Sequence, residues 1–327
     1  MDISLNRTNI DAFGESPHQP CYSMNLAEHG EILSIHYSPY DWSQDIMLIV
    51  FSNKVLVVQL DHQDSLKFDV IAEFQHNVIC TNIYLSAETA LNIVPVNIQF
   101  CTAGVDFKLR IFKGNLSDDN TCQELIGHTS YINDLNYDPE NIYIVSVSDD
   151  HTARIWTVAD NKQLAVFNLT SPGMSTCWHK DDSSKLLIAE KVGIIRFYNV
   201  TKQKPILSFD YGKPLASANW APFDSQLVAS LQMGELLLWD MTRCSRPIQN
   251  KLMYTEGGGE VKFSPGTELI AILNKLENSM KVVHVQTQRE RLSVKLSLPS
   301  NLTWHLRIPI ICVSEGDKLH FWKVVPK

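Results

Sequence analysis

Strands that end in an aromatic residue recur along this chain at a nearly constant spacing, and that period constrains the fold more than any other feature. Phe112, Trp156, Tyr198, Trp239 and Trp322 each close an alternating apolar segment, read here as the last strand of a sequence unit. The first three steps between them are 44, 42 and 41 residues, and the fourth is 83, close to two periods. Self-similarity at a period of about 20–50 residues marks an array of small units, none able to bury its hydrophobic face alone. A hidden unit is therefore expected to end near residue 283, where Met280–Val285 supplies the strand and Phe263-Ser-Pro265 the preceding turn. Upstream, Lys54–Leu60 is a further strand of this kind, preceded by Tyr37-Ser-Pro39. The step from Val58 to Phe112 is 54 residues, and a loop insertion around Ser86–Val94 accommodates the excess. Endings near 58, 112, 156, 198, 239, 283 and 322 give seven units, with six or eight as alternatives.

The clearest unit runs from Gly127 to Trp156. Gly127-His128 opens it, Tyr137-Asp-Pro139 divides it, and Ser148-Asp-Asp-His-Thr152 precedes a strand ending in Trp156. This order matches the WD-repeat pattern. The motif places His128, Ser146, Asp150 and Trp156 in a hydrogen-bonded tetrad across one blade. Asp150, in the tight turn between the second and third strands, accepts from His128. His128 in turn bonds Ser146, and the Trp156 indole donates from the next strand. Each bond adds about 1 kcal/mol, and removing one partner costs more because it strands a buried polar group. The unit before it keeps a partial tetrad in His76, Thr102, Asp106 and Phe112, where phenylalanine has no donor. Later units are eroded: Val192 and Met233 stand where the aspartate belongs, and Tyr198 replaces the tryptophan. Those blades are expected to rely on apolar packing, with Trp178, Trp220 and Trp304 in the aromatic slot of an inner strand.

The expected fold is all-β: a seven-bladed WD40-type β-propeller over residues 19–327, with residues 1–18 a flexible lead. Each sheet exposes two faces that radial stacking covers. Closure requires one blade to take strands from both chain ends. Cys21–Leu26 alternates at strand period and is expected to complete the blade that ends at Trp322.

The chemistry the sequence offers is sparse. Net charge is −8, from 28 basic and 36 acidic residues, which opposes direct nucleic-acid binding through phosphate neutralisation. No apolar run reaches the ~18 residues of a membrane span, so no membrane insertion is expected. The start, Met-Asp-Ile-Ser-Leu-Asn-Arg-Thr, shows no secretory signal. The seven cysteines include no Cys-x-x-Cys pair, which points to a reducing compartment rather than a disulfide framework or zinc site. The five Asn-x-Ser/Thr sequons, at Asn6, Asn115, Asn168, Asn199 and Asn301, are then coincidental.

Asp149-Asp150-His151 near Ser146 and Ser148 invites a hydrolase reading, but a triad is defined by geometry and these residues match a turn motif. Gly257-Gly-Gly259 lacks the remaining residues of a phosphate-binding loop. Cys177-Trp-His179 could pair a thiol with an imidazole, but adjacent strand residues point to opposite faces and Cys177 is read as a small core residue. No catalytic, cofactor-binding or metal-binding residue is assigned, and no small-molecule substrate is expected. Substrate receptors of ubiquitin ligases carry Trp-Asp-x-Arg; here Trp239-Asp-Met-Thr-Arg243 puts the arginine one position late. Such an adaptor remains the alternative function.

Several segments exceed the general pattern. Ile98–Phe112, Gly127–Asn133 with Ser146–Trp156, and above all Ser171-Pro-Gly-Met-Ser-Thr-Cys-Trp-His179 followed by Ile188–Tyr198, resemble the small WD-repeat nucleoporins of about 37 kDa. Leu302–Pro309 and Lys318–Trp322 agree with that resemblance. It implies a structural member of the Y-shaped scaffold complex at the nuclear pore in the nuclear envelope. Its chief partner would be the large arm nucleoporin, contacted at that protein's propeller and α-helical region. It further implies links to mRNA export, protein import and pore assembly, and a mitotic presence at kinetochores. The residues that bind the partner are not legible from the sequence.

Overall fold

Ile46–Val50 is buried at every position, as are Ile98–Gly104 and Leu269–Asn274. Successive side chains of a strand point to opposite faces, so a strand buried throughout must be covered on both sides. In the computed structural model, which describes residues 18–62, 66–116, 120–243 and 245–325, that cover comes from radial stacking. Seven four-stranded antiparallel sheets form a closed ring. Blades 1 to 6 span residues 34–75, 80–125, 132–168, 173–210, 215–252 and 260–295. Blade 7 combines Pro299–Trp304, Ile310–Glu315 and Lys318–Lys323 with Tyr22–Asn25 from the other end of the chain.

The count of seven and the closure by the N-terminal strand agree with the sequence period. Tyr22 pairs with Phe321 and Asn25 with Lys318 in antiparallel register. The aromatic markers, however, end the third strand of each blade rather than the last. Trp156 lies in Thr152–Thr157, and Gln163–Asn168 follows outside it. A sequence unit therefore opens with the outer strand of one blade and ends with the third strand of the next. The long step before Phe112 is the connection from Leu85 to Ile98, in which Ala90 and Asn97 form an isolated bridge. The lead expected over residues 1–18 lies, apart from His18, outside the described residues.

Seven buried apolar clusters occupy the seven blade–blade interfaces. Alternate residues of one strand serve different interfaces. Ile46, Leu48 and Val50 pack toward blade 2, whereas Met47 and Ile49 pack toward blade 7. Leu187 and Ala189 face blade 5, while Leu186 and Ile188 face blade 3. This division explains the uninterrupted apolar runs: neither side of a middle strand meets water.

Candidate functional site

The most ordered polar constellation lies inside blade 3. The third strand, Thr152–Thr157, places Trp156 beside Ser146 of the second strand, Tyr143–Ser148. Trp156 Nε1 donates to Ser146 Oγ at 3.0 Å, and His128 Nε2 lies 2.8 Å from the same hydroxyl. His128 Nδ1 lies 2.8 Å from Asp150 Oδ2. With the carboxylate accepting from Nδ1–H, Nε2 accepts the serine proton, and the serine oxygen accepts from the indole. Asp150 also accepts from the Thr129 and Thr152 backbone amides, at 3.1 and 2.9 Å, and from the Thr152 hydroxyl. Burial pushes the Asp150 carboxyl up, but the bonds from Thr152 and His128 outweigh it and hold the group below its ordinary range. Burial holds the His128 ring below its ordinary value, with Asp150 pulling the other way.

Blade 2 brings only part of its four expected residues together. His76 Nε2 lies 3.0 Å from Thr102 Oγ1, and the ring sits 5.2 Å from that of Phe112. Asp106 does not reach His76. Both its oxygens are taken by Arg110, at 2.9 and 2.6 Å, and Arg110 is also held by Glu124 at 2.7 Å. The cause is electrostatic: a forked guanidinium outcompetes a neutral imidazole for a carboxylate. Accordingly Arg110 holds the Asp106 carboxyl below its usual range. Without the aspartate, His76 Nδ1 accepts from the Val78 amide at 3.2 Å, so its tautomer is the reverse of His128.

Blade 4 replaces the tetrad with a different device. Glu190 is fully buried, pairs with Arg196 at 2.6 Å, and accepts from the amides of Thr170 and Ser171 at 2.6 and 3.0 Å. This fixes the entry to Ser171-Pro-Gly-Met-Ser. Gly173 is required there by close approach, because a Cβ would meet Val147 at 2.7 Å. Blade 5 keeps one bond, Trp239 Nε1 to Ser230 Oγ at 2.9 Å.

A second polar system, which the sequence reading missed, runs around the ring between innermost strands. Asn82 donates to Asp134 at 2.9 Å, and Asp134 accepts from the Thr176 amide at 2.9 Å. Ser175 Oγ accepts from the Ala218 amide at 2.8 Å, Asn219 accepts from Phe263, and Lys262 Nζ donates to the Leu302 carbonyl at 2.9 Å. Thr303 accepts from the Tyr37 amide across the closure. Between blades 1 and 2 the inner-strand contact is aromatic, with the His36 and Tyr84 rings 4.2 Å apart. Most of these partners stand 40–44 residues apart, one blade period. The available signal was therefore a polar residue recurring in the same inner-strand slot.

This chemistry is turned inward. Ser146 is fully buried, and the His128 and Asp150 side chains are 1% and 4% exposed. A serine that already accepts from an indole and lies sealed in a sheet has no path to a substrate carbonyl. Burial raises the Cys177 thiol to about 11 and the Cys80 thiol to about 12, so neither is a ready nucleophile. Among the described residues, no group of three or more His, Cys, Asp or Glu is placed to hold a metal ion. No helix there is long and apolar enough to cross a membrane.

Fold and tetrad together define a WD-repeat β-propeller. The model of the WD domain, G-beta repeat, matches residues 119–157, the segment that contains the complete tetrad. Over longer spans the chain is 34% identical to mouse nucleoporin Nup37 across 302 residues, covering 88% of this chain and 92% of that protein. It is 35% identical to human nucleoporin Nup37 across 303 residues with the same coverage, and 34% identical to the Drosophila melanogaster protein across 244 residues. The chain belongs to the Nup37 family of nucleoporins.

Proposed function

We propose that this chain is a non-catalytic structural nucleoporin that docks on the large arm nucleoporin of the Y-shaped scaffold complex. Through that attachment it contributes to nuclear pore assembly, mRNA export and protein import, and in mitosis it accompanies the complex to kinetochores. The observation that carries the reading is the match to nucleoporins along nearly the whole propeller, rather than within one repeat. The inward-facing tetrad supports the non-catalytic part, since its polar groups serve one another. A rigid ring with loops on two faces suits a scaffold contact, which needs about 1,000 Å² of buried surface and a few anchor residues.

The test is affinity purification of the endogenously tagged protein with its companions identified by mass spectrometry. Stoichiometric recovery of Y-complex members, led by the large arm nucleoporin, is the expected result. Recovery of a cullin-type ligase with nucleoporins absent would overturn the proposal and restore the adaptor reading.

A further inference from the structure

Charge is unevenly distributed along this acidic chain. Residues 241–295 carry nine lysines and arginines against five glutamates, whereas the rest of the chain carries 19 basic against 31 acidic residues. Four of those nine cations gather on the outer circumference, along the seam between blades 5 and 6. Lys251, on the outer strand of blade 5, donates across the seam to the Gln288 carbonyl at 2.6 Å. Lys281, on the third strand of blade 6, donates back to the Met253 carbonyl at 2.6 Å, with its ammonium 4.7 Å from the Tyr254 ring centre. Arg289 follows Gln288 in the connection to the outer strand of blade 6, and Arg291 is the extra residue of a β-bulge in that strand. The bulge lies opposite Val283, which packs toward blade 5, so it turns Arg291 to the seam. Leu292 and Val294 take the other face of the strand, toward blade 7.

Among the described residues, no carboxylate lies within ion-pair distance of any of these four cations. Glu290 opens the same strand but is exposed and pairs with none of them. An unpaired charge on a surface is ordinary; here, however, the charges surround polar atoms that are themselves buried. Arg291 Nε, Gln249 Oε1 and Gln288 Oε1 are buried without a hydrogen-bond partner. The other end of each amide is fixed, since Gln249 Nε2 donates to the Gln286 carbonyl at 3.2 Å and Gln288 Nε2 to the Val285 carbonyl at 2.8 Å. Buried polar groups are costly to leave unmet. The seam thus calls for carboxylates against its cations and for N–H donors against two amide oxygens. An extended acidic stretch of polypeptide brings both, the carboxylates on its side chains and the donors on its main chain. A phosphate polymer at neutral pH brings acceptors alone and leaves the glutamine oxygens unmet.

We propose that the outer seam between blades 5 and 6 is a docking site for an extended acidic segment of another protein, with carboxylates on Lys251, Lys281, Arg289 and Arg291 and main-chain N–H groups on Gln249 and Gln288. The seam's role does not depend on the scaffold reading above, and its failure would leave that reading standing.

The experiment measures fluorescence anisotropy of a short labelled peptide of alternating glutamate and serine, titrated with the purified full chain at low salt. The same peptide with glutamine in place of glutamate, and inorganic polyphosphate as a competitor, complete the set of probes. The variants are Lys251→Glu with Arg291→Glu, Gln249→Leu with Gln288→Leu, and, as the comparison, Lys191→Glu with Lys275→Glu. The last pair changes net charge by the same amount at two exposed lysines on turns away from the seam. Thermal melts establish that each variant is folded, and Arg291→Gln carries the charge test if the reversed pair is not. The charge-reversal pair is expected to weaken binding about 20-fold or more, Arg291→Gln and the leucine pair each about fivefold, and the comparison pair less than about threefold. The glutamine peptide is expected not to bind. Equal losses in the comparison pair and the seam pair would overturn the site, since general attraction would then account for binding. Polyphosphate that displaces the peptide from the wild type and from the leucine pair equally well would overturn the polypeptide occupant in favour of a plain anion site. A wild-type chain that does not bind the acidic peptide would overturn the proposal outright.

Discussion

In blade 3 the Trp156 indole begins a chain of hydrogen bonds that runs through Ser146 and His128 to Asp150. In blade 5 the Trp239 indole reaches Ser230, and the chain stops there. The two blades are otherwise alike: four antiparallel strands, a buried apolar cluster on each side, and inner-strand bonds to both neighbours. Trp239 compensates by stacking on Phe209 at 5.0 Å, with the rings only 10° from parallel. Where blade 3 has Asp150 and His151 in its turn, blade 5 has Met233 and Gly234, both at positive φ, with Met233 about half exposed. Gly234 is obligatory, since a Cβ there would lie 2.2 Å from the Tyr254 carbonyl oxygen. The comparison teaches that the tryptophan–serine bond and its packing suffice for a blade, and that histidine and aspartate add local rigidity to one.

Truncating the shared element should do the most damage in both blades. Trp156→Ala and Trp239→Ala should each destabilise by about 3–5 kcal/mol, read from urea unfolding. Similar losses are the expected outcome; a blade 5 variant that melts like the wild type would refute the packing account. The unshared element should separate the blades. Asp150→Ala should cost about 2–3 kcal/mol because it strands His128 and two backbone amides. Met233→Asp should change stability by less than about 0.5 kcal/mol, because no histidine waits to meet it.

Acid should press hardest on blades 1 and 2. Burial lowers His36 to about 3, and His62 and His76 to about 4. The unfolded chain takes up protons on these rings near pH 6.5, whereas the folded chain resists until about pH 3–4. Stability should therefore be full above pH 6.5 and fall as pH drops through that window. Asp134 opposes the trend, since burial raises it to about 6 and its protonation favours the fold, but three rings outweigh one carboxyl. Hydrogen exchange at pH 7 and pH 5 should show blades 1 and 2 losing protection before blade 5. The smallest effect is expected at the eroded turns: Val192→Ala and Met233→Ala should each stay within about 0.5 kcal/mol in the same unfolding assay.

Much of this arrangement was legible because aromatic, glycine and turn residues recur with the period. The strand expected over Met280–Val285 was found from spacing, its apolar residues and the Phe263-Ser-Pro265 turn, although its unit has no tryptophan, and it is observed at Ser279–His284. Asp106 was misplaced because the motif names four positions and is silent about Arg110 and Glu124, whose charges decide where the carboxylate turns. The bonds between innermost strands were missed for a related reason. Asn82, Asp134 and Asn219 read as polar positions of half-exposed strands until the next blade is seen to supply their partners.

The most direct measurement of the central claim is live-cell imaging of the endogenously tagged chain beside a nuclear pore marker, in wild-type form and as Asp150→Asn. A punctate nuclear rim for both, with the variant dimmer in proportion to its lost stability, is the predicted result. A diffuse or organellar signal for the folded wild-type chain would contradict it.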